Sequence, residues 1–138
     1  HGRFAFPTVA ILQPRPRLTG DGPGAWMVSL MVSRPRTRAM SKWGSLPGAY
    51  SSSAQPGIVM GSKPLSLMRE IVTDYSRPGD LVCDPCAGGA TTLIAAATLG
   101  RRAIGAEVDE DTYAKAMLRI LDGESVIRQP DQTTMRFA

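Results

Sequence analysis

A turn of small residues between an apolar run and a helix-forming segment most restricts the fold of this chain. The apolar run Leu81-Val82-Cys83 leads into Asp84-Pro85-Cys86-Ala87-Gly88-Gly89-Ala90, and a helical segment from Thr91 to Leu99 follows, with Gly100 as its stop. Small residues let a backbone turn sharply and come close to a ligand. The pattern therefore predicts a short buried strand, a ligand-binding loop and a helix in direct succession.

The residues on either side extend this pattern. Ser62-Lys63-Pro64 opens a helix, because apolar residues from Leu65 to Tyr75 recur at helical spacing. Ala103-Ile104-Gly105-Ala106 predicts a second strand that ends at Glu107, and Asp109 to Leu121 predicts a third helix. The order helix, strand, helix, strand, helix indicates an α/β fold with a parallel βαβ unit and one extra helix before it.

The first part of the chain is patterned differently. Phe6 to Leu12 and Trp26 to Val32 are apolar runs joined by a turn-rich connector, which predicts an antiparallel hairpin. Residues 35–61 are rich in Ser, Gly and Pro and form either an ordered loop or a mobile segment. We therefore divide the chain into a basic hairpin and loop (1–61), a βαβ part (62–121) and a polar tail (122–138).

The positive charge is concentrated in the first part. The chain carries a formal net charge of +4, but residues 1–63 hold eight basic residues against one acid, Asp21. Six of the eight are arginines, whose guanidinium groups suit phosphates and guanine edges: Arg3, Arg15, Arg17, Arg34, Arg36 and Arg38. Contact with a nucleic acid is one interpretation, and solubility of proline-rich loops is the other.

Composition argues against several other classes of protein. The two cysteines, Cys83 and Cys86, form a single C-x-x-C without the second pair that a structural zinc site needs, so we expect no metal. No apolar run approaches the length of a membrane span, and no basic-then-apolar leader opens the sequence, so we expect neither membrane insertion nor secretion. Reduced thiols fit the cytoplasm, which is the expected location.

The loop and the end of the second strand together indicate a nucleoside cofactor. Glu107 follows Asp84 by 23 residues, the spacing at which an acid can accept hydrogen bonds from the two hydroxyls of a ribose. Neither G-x-x-x-x-G-K-[ST] nor G-x-G-x-x-G occurs. An aspartate at the start of the loop would repel a pyrophosphate but could hold an ammonium or a sulfonium, which points to S-adenosylmethionine. The alternative is a tight turn that binds nothing.

Residues 62–120 resemble the cofactor half of the amino-directed DNA methyltransferases, which methylate the exocyclic nitrogen of adenine or cytosine. The resemblance rests on the Ser-Lys-Pro start, on Asp84 to Thr92, on the stretch from Gly100 to Asp109, and on Tyr113 to Arg119. The loop in that family is usually D-P-F-x-G-S-G-T-T, and here Cys86, Gly89 and Ala90 replace Phe, Ser and the last Gly. The fold implied is a Rossmann-like S-adenosylmethionine-dependent methyltransferase fold, here incomplete.

The resemblance also implies roles for particular residues. Ser62, Lys63 and Pro64 would approach the methionine end of the cofactor, with Asp84 facing its amino group. Glu107 would hold the ribose and Val108 would border the adenine. The loop beneath the cofactor would comprise Asp84, Pro85, Cys86, Ala87, Gly88, Gly89 and Ala90, followed by Thr91 and Thr92 at the start of the helix.

No catalytic residue can be assigned. The family's catalytic motif, Asp, Asn or Ser followed by Pro-Pro and an aromatic residue, is not found in the 138 residues. One interpretation is part of an enzyme acting on double-stranded DNA, with an upstream segment or second chain supplying the motif. The other is a non-catalytic remnant or subunit that binds cofactor or nucleic acid; methylation of RNA or a small molecule is a weaker alternative. A sheet without its middle strands would expose strand edges, so we expect the isolated chain to be unstable or to aggregate.

Overall fold

The computed structural model describes residues 4–5, 8–17, 25–35, 46–51, 62–121 and 133–137. The chain divides into two compact units, residues 1–54 and residues 55–138. The predicted boundary after residue 61 falls beside residues outside these ranges, so that boundary stays a prediction.

In the first unit, the elements found in the described residues are strands. They are β1 (Phe4–Ala5), β2 (Thr8–Arg17), β3 (Ala25–Met31), β4 (Arg34–Pro35) and β5 (Ala49–Ser51). β2 pairs with β3 antiparallel, as the predicted hairpin requires, and it pairs with β5 in parallel on its other side. β1 and β4 form a separate antiparallel pair. The hairpin prediction is confirmed, whereas the sequence analysis does not predict β1, β4 or β5.

Two prolines interrupt the pairing within this hairpin. The register runs from Thr8 opposite Met31 to Leu12 opposite Met27, then shifts before Arg17 pairs with Ala25. Pro14 and Pro16 lie in the shifted stretch. A proline has no N–H to donate to a ladder, so a regular register cannot continue through them.

The second unit is the α/β part. In chain order it contains α1 (Leu65–Tyr75), β6 (Leu81–Asp84), α2 (Thr91–Thr98), β7 (Arg102–Glu107), α3 (Glu110–Leu121) and β8 (Thr133–Phe137). The three strands form one parallel sheet in the order β6-β7-β8. The predicted βαβ unit, with α1 before it, is confirmed.

The predicted polar tail is wrong for residues 133–137. These residues form β8, in which Thr133 pairs with Ala103 and Phe137 with Glu107. Backbone hydrogen bonds to the edge of β7 place this strand, and composition does not reveal such bonds. Residues 122–132 and 138, the rest of the predicted tail, lie outside the described residues.

The prediction that β6 is a buried strand is also wrong for two of its residues. Leu81 and Cys83 are exposed, Leu81 by 55%, while Val82 packs against the core. Successive side chains on a strand point to opposite faces, and the core covers only the face that carries Val82.

The core of the second unit lies between α2 and the sheet. Leu93, Ile94, Ala95 and Ala96 of α2 are all essentially inaccessible, and Ala103 of β7 packs with them. α1 contributes Val72, and α3 contributes Ala116. Burying side chains as large as Leu93 and Ile94 stabilises the fold by about 1.5–3 kcal/mol each.

None of the three helices in the described residues has the length and apolar character that crossing a bilayer requires.

A buried arginine joins the ends of two helices. Arg101 is buried, with 5% of the residue exposed. Its Nε donates to Ser76 Oγ at 3.0 Å and its Nη2 to the Ser76 carbonyl at 2.8 Å, directly after α1. Its Nη1 donates to the Leu99 carbonyl at 2.6 Å, directly after α2. A buried cation needs such acceptors because it has lost its hydration.

Gly105 lets β7 approach the end of β6 more closely than a residue with a side chain would. A Cβ atom at this position would lie 2.8 Å from Leu93 Cδ1, 3.0 Å from the Asp84 carbonyl oxygen and 3.1 Å from Ala87 Cβ. The missing side chain therefore sets the distance between β7, α2 and the loop that leaves β6.

We expect Gly105→Ala to lower the free energy of unfolding by about 1–3 kcal/mol, the usual range for overpacking. The measurement is urea denaturation of the full chain. Gly48→Ala is the matched control, because a Cβ there would meet nothing within 4 Å. Equal stability of both variants would show that the contacts around Gly105 yield without penalty.

Candidate functional site

The candidate site lies where β6 and β7 end. In open parallel sheets, ligands bind beyond the carboxyl ends of the strands. Asp84 is the last residue of β6, Glu107 is the last of β7, and Asp84 pairs with Gly105 across the ladder. The structure thus brings together the loop and the acid that the sequence analysis pairs by spacing.

Backbone hydrogen bonds shape the loop. The Ala87 N–H donates to the Ala106 carbonyl at 2.8 Å, which ties the loop to β7. The Ala90 N–H donates to the Ala87 carbonyl at 2.8 Å, which closes a turn over Gly88. Gly88 has φ +51°, a left-handed conformation that glycine adopts without strain.

Ala90 is left-handed as well, although it carries a side chain. Its φ and ψ are 60° and 22°, and it is completely buried just before α2. The left-handed conformation costs a residue with a Cβ about 1–2 kcal/mol. Burying the Ala90 methyl group offsets part of that cost, because about 0.8 kcal/mol is gained for each buried carbon of this kind. The smaller residue that the related loop usually has at this position is therefore not needed for the turn.

The Glu107 carboxylate is the electrostatic centre of the site. Its Oε2 accepts from the Gly88 N–H at 2.8 Å, and its Oε1 accepts from the N–H groups of Val108 at 2.9 Å and Asp109 at 3.0 Å. The hydrogen bond from Asp109, followed by that from Gly88, lowers the pKa of Glu107 below its ordinary value. The group is therefore ionised at neutral pH, and it joins the loop to β7.

Glu107 retains capacity to accept further hydrogen bonds. An ionised carboxylate has about four lone-pair sites. Three accept the N–H groups of Gly88 in the loop and of Val108 and Asp109 after β7, which leaves one on Oε2. Val108, the next residue, is 76% exposed and offers an apolar surface beside the carboxylate. An acceptor next to an exposed apolar side chain suits a ligand with hydroxyl groups and a flat ring.

Asp84, at the other strand end, has one oxygen engaged locally. Its Oδ1 accepts from the Cys86 N–H at 3.2 Å. The side chain is half-buried, and Pro85 and Cys86 after it are exposed. This arrangement orients the Asp84 carboxylate while leaving Oδ2 without a hydrogen bond in the described residues.

Asp109 has a structural role two residues beyond Glu107. Its Oδ1 accepts from the Thr112 N–H at 2.8 Å, which caps the start of α3. Hydrogen bonds from the Thr112 side chain and backbone lower the pKa of Asp109. Asp109 is thus a second ionised carboxylate near the site, engaged with its own helix.

The residues at the start of α1 are less closely tied to the loop. Lys63 is exposed, and the Pro64 carbonyl accepts from the Met68 N–H at 3.1 Å. Ser62 Oγ is buried without a hydrogen-bond partner among the described residues. Within that same part of the chain, no hydrogen bond joins residues 62–64 to the loop, so their predicted role stays a prediction.

Two residues that shape the site, Arg119 and Gly105, have no function predicted from the sequence. Arg119 Nη1 donates to the Gly89 carbonyl and to Thr91 Oγ1, so α3 supports the loop from behind. A basic residue in the last turn of a helix is common because it interacts favourably with the helix dipole. Its position in the sequence therefore does not indicate a contact with a distant loop. Gly105 had a usable signal, because an isolated glycine within a strand suggests close approach of another backbone.

Cys83 and Cys86 are free thiols, and no cluster of three metal-ligating side chains occurs in the described ranges.

Arg15 and Arg17 lie on β2 and Arg34 on β4. In the first part of the chain, Trp43 and four basic residues lie outside the described residues: Arg3, Arg36, Arg38 and Lys42.

Comparison with known proteins identifies the family of this chain. A model of the DNA methylase family matches residues 37–118, more than half of the chain. The chain belongs to the DNA methylase family. The resemblance noted around Asp84 to Thr92 is thereby confirmed.

Curated DNA methylases match parts of the chain. The DNA adenine methyltransferase YhdJ of Escherichia coli K12 is 45% identical over 60 residues, which are 44% of this chain and 20% of YhdJ. The type II methyltransferase M.HindIII of Haemophilus influenzae is 28% identical over 115 residues, which are 77% of this chain and 37% of that protein. The matches thus span between a fifth and about two fifths of these relatives.

Solved structures confirm the fold. The protein TTHA0409 of Thermus thermophilus, in complex with S-adenosyl-L-methionine, superposes with a TM-score of 0.64 at 24% identity, over 99% of this chain and 59% of that one. A complex of M1.HpyAVI with SAM superposes with a TM-score of 0.65 at 21% identity, over 86% of this chain and 63% of that one. The α/β methyltransferase fold is therefore shown, over part of its length in these proteins.

We expect Glu107 to make stability depend on pH. Because its pKa is lower in the folded than in the unfolded chain, the ionised carboxylate stabilises the fold above about pH 4.5, and that contribution is lost as the pH falls further. Glu107→Gln should therefore have a shallower loss of stability below pH 4.5 than the unsubstituted chain. Denaturation at a series of pH values measures this, and parallel curves would contradict it.

Proposed function

We propose that the second unit binds S-adenosylmethionine at the loop of residues 84–91 and at Glu107. We further propose that the chain is part of an enzyme that methylates the exocyclic amino nitrogen of adenine or cytosine in double-stranded DNA. The single observation that carries the proposal is the ionised Glu107 carboxylate, held against the Gly88 N–H at the ends of two parallel strands.

The chemistry of the site fits the cofactor. S-adenosylmethionine supplies, when bound, a methyl group activated by a positively charged sulfur. Glu107 would accept a hydrogen bond from a ribose hydroxyl at the site left on Oε2, and Val108 would contact the adenine ring. Asp84 would attract the ammonium group, and two carboxylates near a cationic ligand are electrostatically favourable. Ser62, whose buried Oγ lacks a partner in the described residues, would serve the methionine end.

The relatives support the choice of reaction. One curated relative is named a DNA adenine methyltransferase, and two solved relatives contain S-adenosylmethionine. The arginines of the first unit suit a phosphate backbone and so support DNA as the partner. A cytoplasmic location stays a prediction.

The second candidate function is cofactor binding without transfer. One observation favours it. The sequence has no Pro-Pro pair and therefore lacks the family's catalytic motif, which binds the amine to be methylated. Holding an amino group in line with the sulfonium requires an acceptor and a stacking aromatic ring. We propose that these groups come from a segment or a second chain outside the 138 residues, rather than that the function has been lost.

The first experiment is calorimetric titration of S-adenosylmethionine into the full chain. We expect saturable binding that Glu107→Gln weakens by roughly tenfold or more, because hydrogen bonds to a charged acceptor are worth about 1.5–3 kcal/mol. Asp109→Asn is the matched control, since it removes the same charge two residues away while asparagine caps a helix as well as aspartate. Equal affinity of the two variants, or no binding by a folded chain, would overturn the cofactor assignment.

Transfer is measured separately, with labelled S-adenosylmethionine and double-stranded DNA of mixed sequence. Incorporation into DNA by this chain alone would show that its 138 residues contain the acceptor groups, against our proposal of an outside source. Binding without incorporation, followed by incorporation when a polypeptide with the catalytic motif is added, would support that source. Binding that never leads to incorporation would favour the non-catalytic alternative.

A further inference from the structure

Arg119 connects α3 to the loop of the candidate site. Its Nη1 donates to the Gly89 carbonyl at 2.6 Å and to Thr91 Oγ1 at 2.9 Å. These partners precede it by 30 and 28 residues, so the contact joins helix α3 of one βα unit to the loop and helix start of the unit before it. The side chain is only partly exposed.

The direction of the side chain explains how a residue in the last turn of α3 reaches the loop. Long side chains on a helix lean toward its N-terminus. The N-terminus of α3 follows Glu107 and Asp109, at the edge of the sheet where the loop lies. Arg119 therefore extends back toward this edge and does not serve the carbonyls at the end of its own helix.

The hydrogen bond to Gly89 fixes a peptide plane within the loop. The Gly89 carbonyl and the Ala90 N–H belong to one planar unit. Arg119 holds the carbonyl end, and the Ala87 carbonyl accepts from the N–H end at 2.8 Å. That plane lies between Gly89 and the left-handed Ala90. Gly88, whose N–H donates to Glu107, is the residue immediately before it.

The hydrogen bond to Thr91 fixes the role of a hydroxyl. Arginine has donors only, so Thr91 Oγ1 must be the acceptor. The proton of that hydroxyl is therefore left to be donated elsewhere. Thr91 is buried as the first residue of α2, so its orientation is set by the protein rather than by solvent.

We propose that Arg119 is a positioning residue, which holds the Gly89–Ala90 peptide and the Thr91 hydroxyl in the orientation that receives the methionine end of the cofactor. The effect on cofactor affinity rests on the proposed function, whereas the effect on the loop does not. Arg119 touches no cofactor atom in this proposal and acts through the loop alone.

The effect on the loop is tested without ligand, by amide hydrogen exchange in the full chain. Arg119→Met should speed exchange at Gly88 and Ala90 on the order of tenfold, because the loop opens locally more often. Exchange at Val72 in α1 should not change. Lys115→Met, which removes a positive charge from the exposed face one turn earlier on α3, is the matched control. Unchanged exchange in the loop, or equal acceleration at Val72, would overturn the proposal.

The effect on the cofactor is tested with two ligands. Arg119→Met should lower the affinity for S-adenosylmethionine roughly tenfold. It should lower the affinity for 5′-methylthioadenosine, which lacks the amino-acid end, less than about threefold. Arg119→Lys should recover part of the affinity, since it restores a charged donor without the planar fork. Equal losses for both ligands, or no recovery with lysine, would overturn this positioning role. If the unsubstituted chain binds neither ligand, the proposed function fails, and exchange alone decides whether Arg119 positions the loop.

If Arg119→Met does not fold, Arg119→Gln is measured in the same way. Glutamine keeps a neutral donor at a shorter reach, so it perturbs the core less while still losing one of the two contacts. Faster exchange confined to Gly88 and Ala90 would support the proposal, and exchange equal to that of the unsubstituted chain would overturn it.

Discussion

The second unit depends on the close approach of β7 to the loop that leaves β6. Gly105 makes this approach possible, because a side chain there would press on the Asp84 carbonyl and on Ala87. At the distance that results, the Ala106 carbonyl accepts the Ala87 N–H. Glu107 is the next residue, and its carboxylate then reaches the Gly88 N–H. The absence of a side chain at Gly105 thus permits both hydrogen bonds that join the loop to the strand.

Opposite charges then hold the loop from two sides. The Glu107 carboxylate takes an N–H group of the loop, while the Arg119 guanidinium takes a carbonyl oxygen. Each charge meets the complementary end of a peptide dipole, and such charge-assisted bonds are stronger than neutral ones. Glu107 is the last residue of β7 and Arg119 lies in the last turn of α3, so both belong to the same βα unit. The loop between β6 and α2 therefore takes its shape from the βα unit that follows it in the chain.

The parts of this molecule that were predictable from sequence are those with local signals. The elements from α1 to α3 agree with their periodicity and their Gly and Pro boundaries to within a few residues, and Glu107 follows from its spacing to Asp84. The strands β5 and β8 form only because they pair with strands distant in sequence. With three and five residues, they are too short to show a recognisable alternation of apolar and polar side chains. The exposure of Cys83 and the reach of Arg119 depend on which faces are covered, and a linear pattern does not contain that information.

Ala90 has a consequence for how the loop meets any ligand. An alanine has fewer accessible conformations in the unfolded chain than a glycine, and its methyl group here is completely buried. The entropy of ordering this turn is therefore lost when the protein folds, not when a ligand arrives. A small molecule that reaches the loop meets donors and acceptors that are already arranged, and a site arranged in advance loses less entropy on binding.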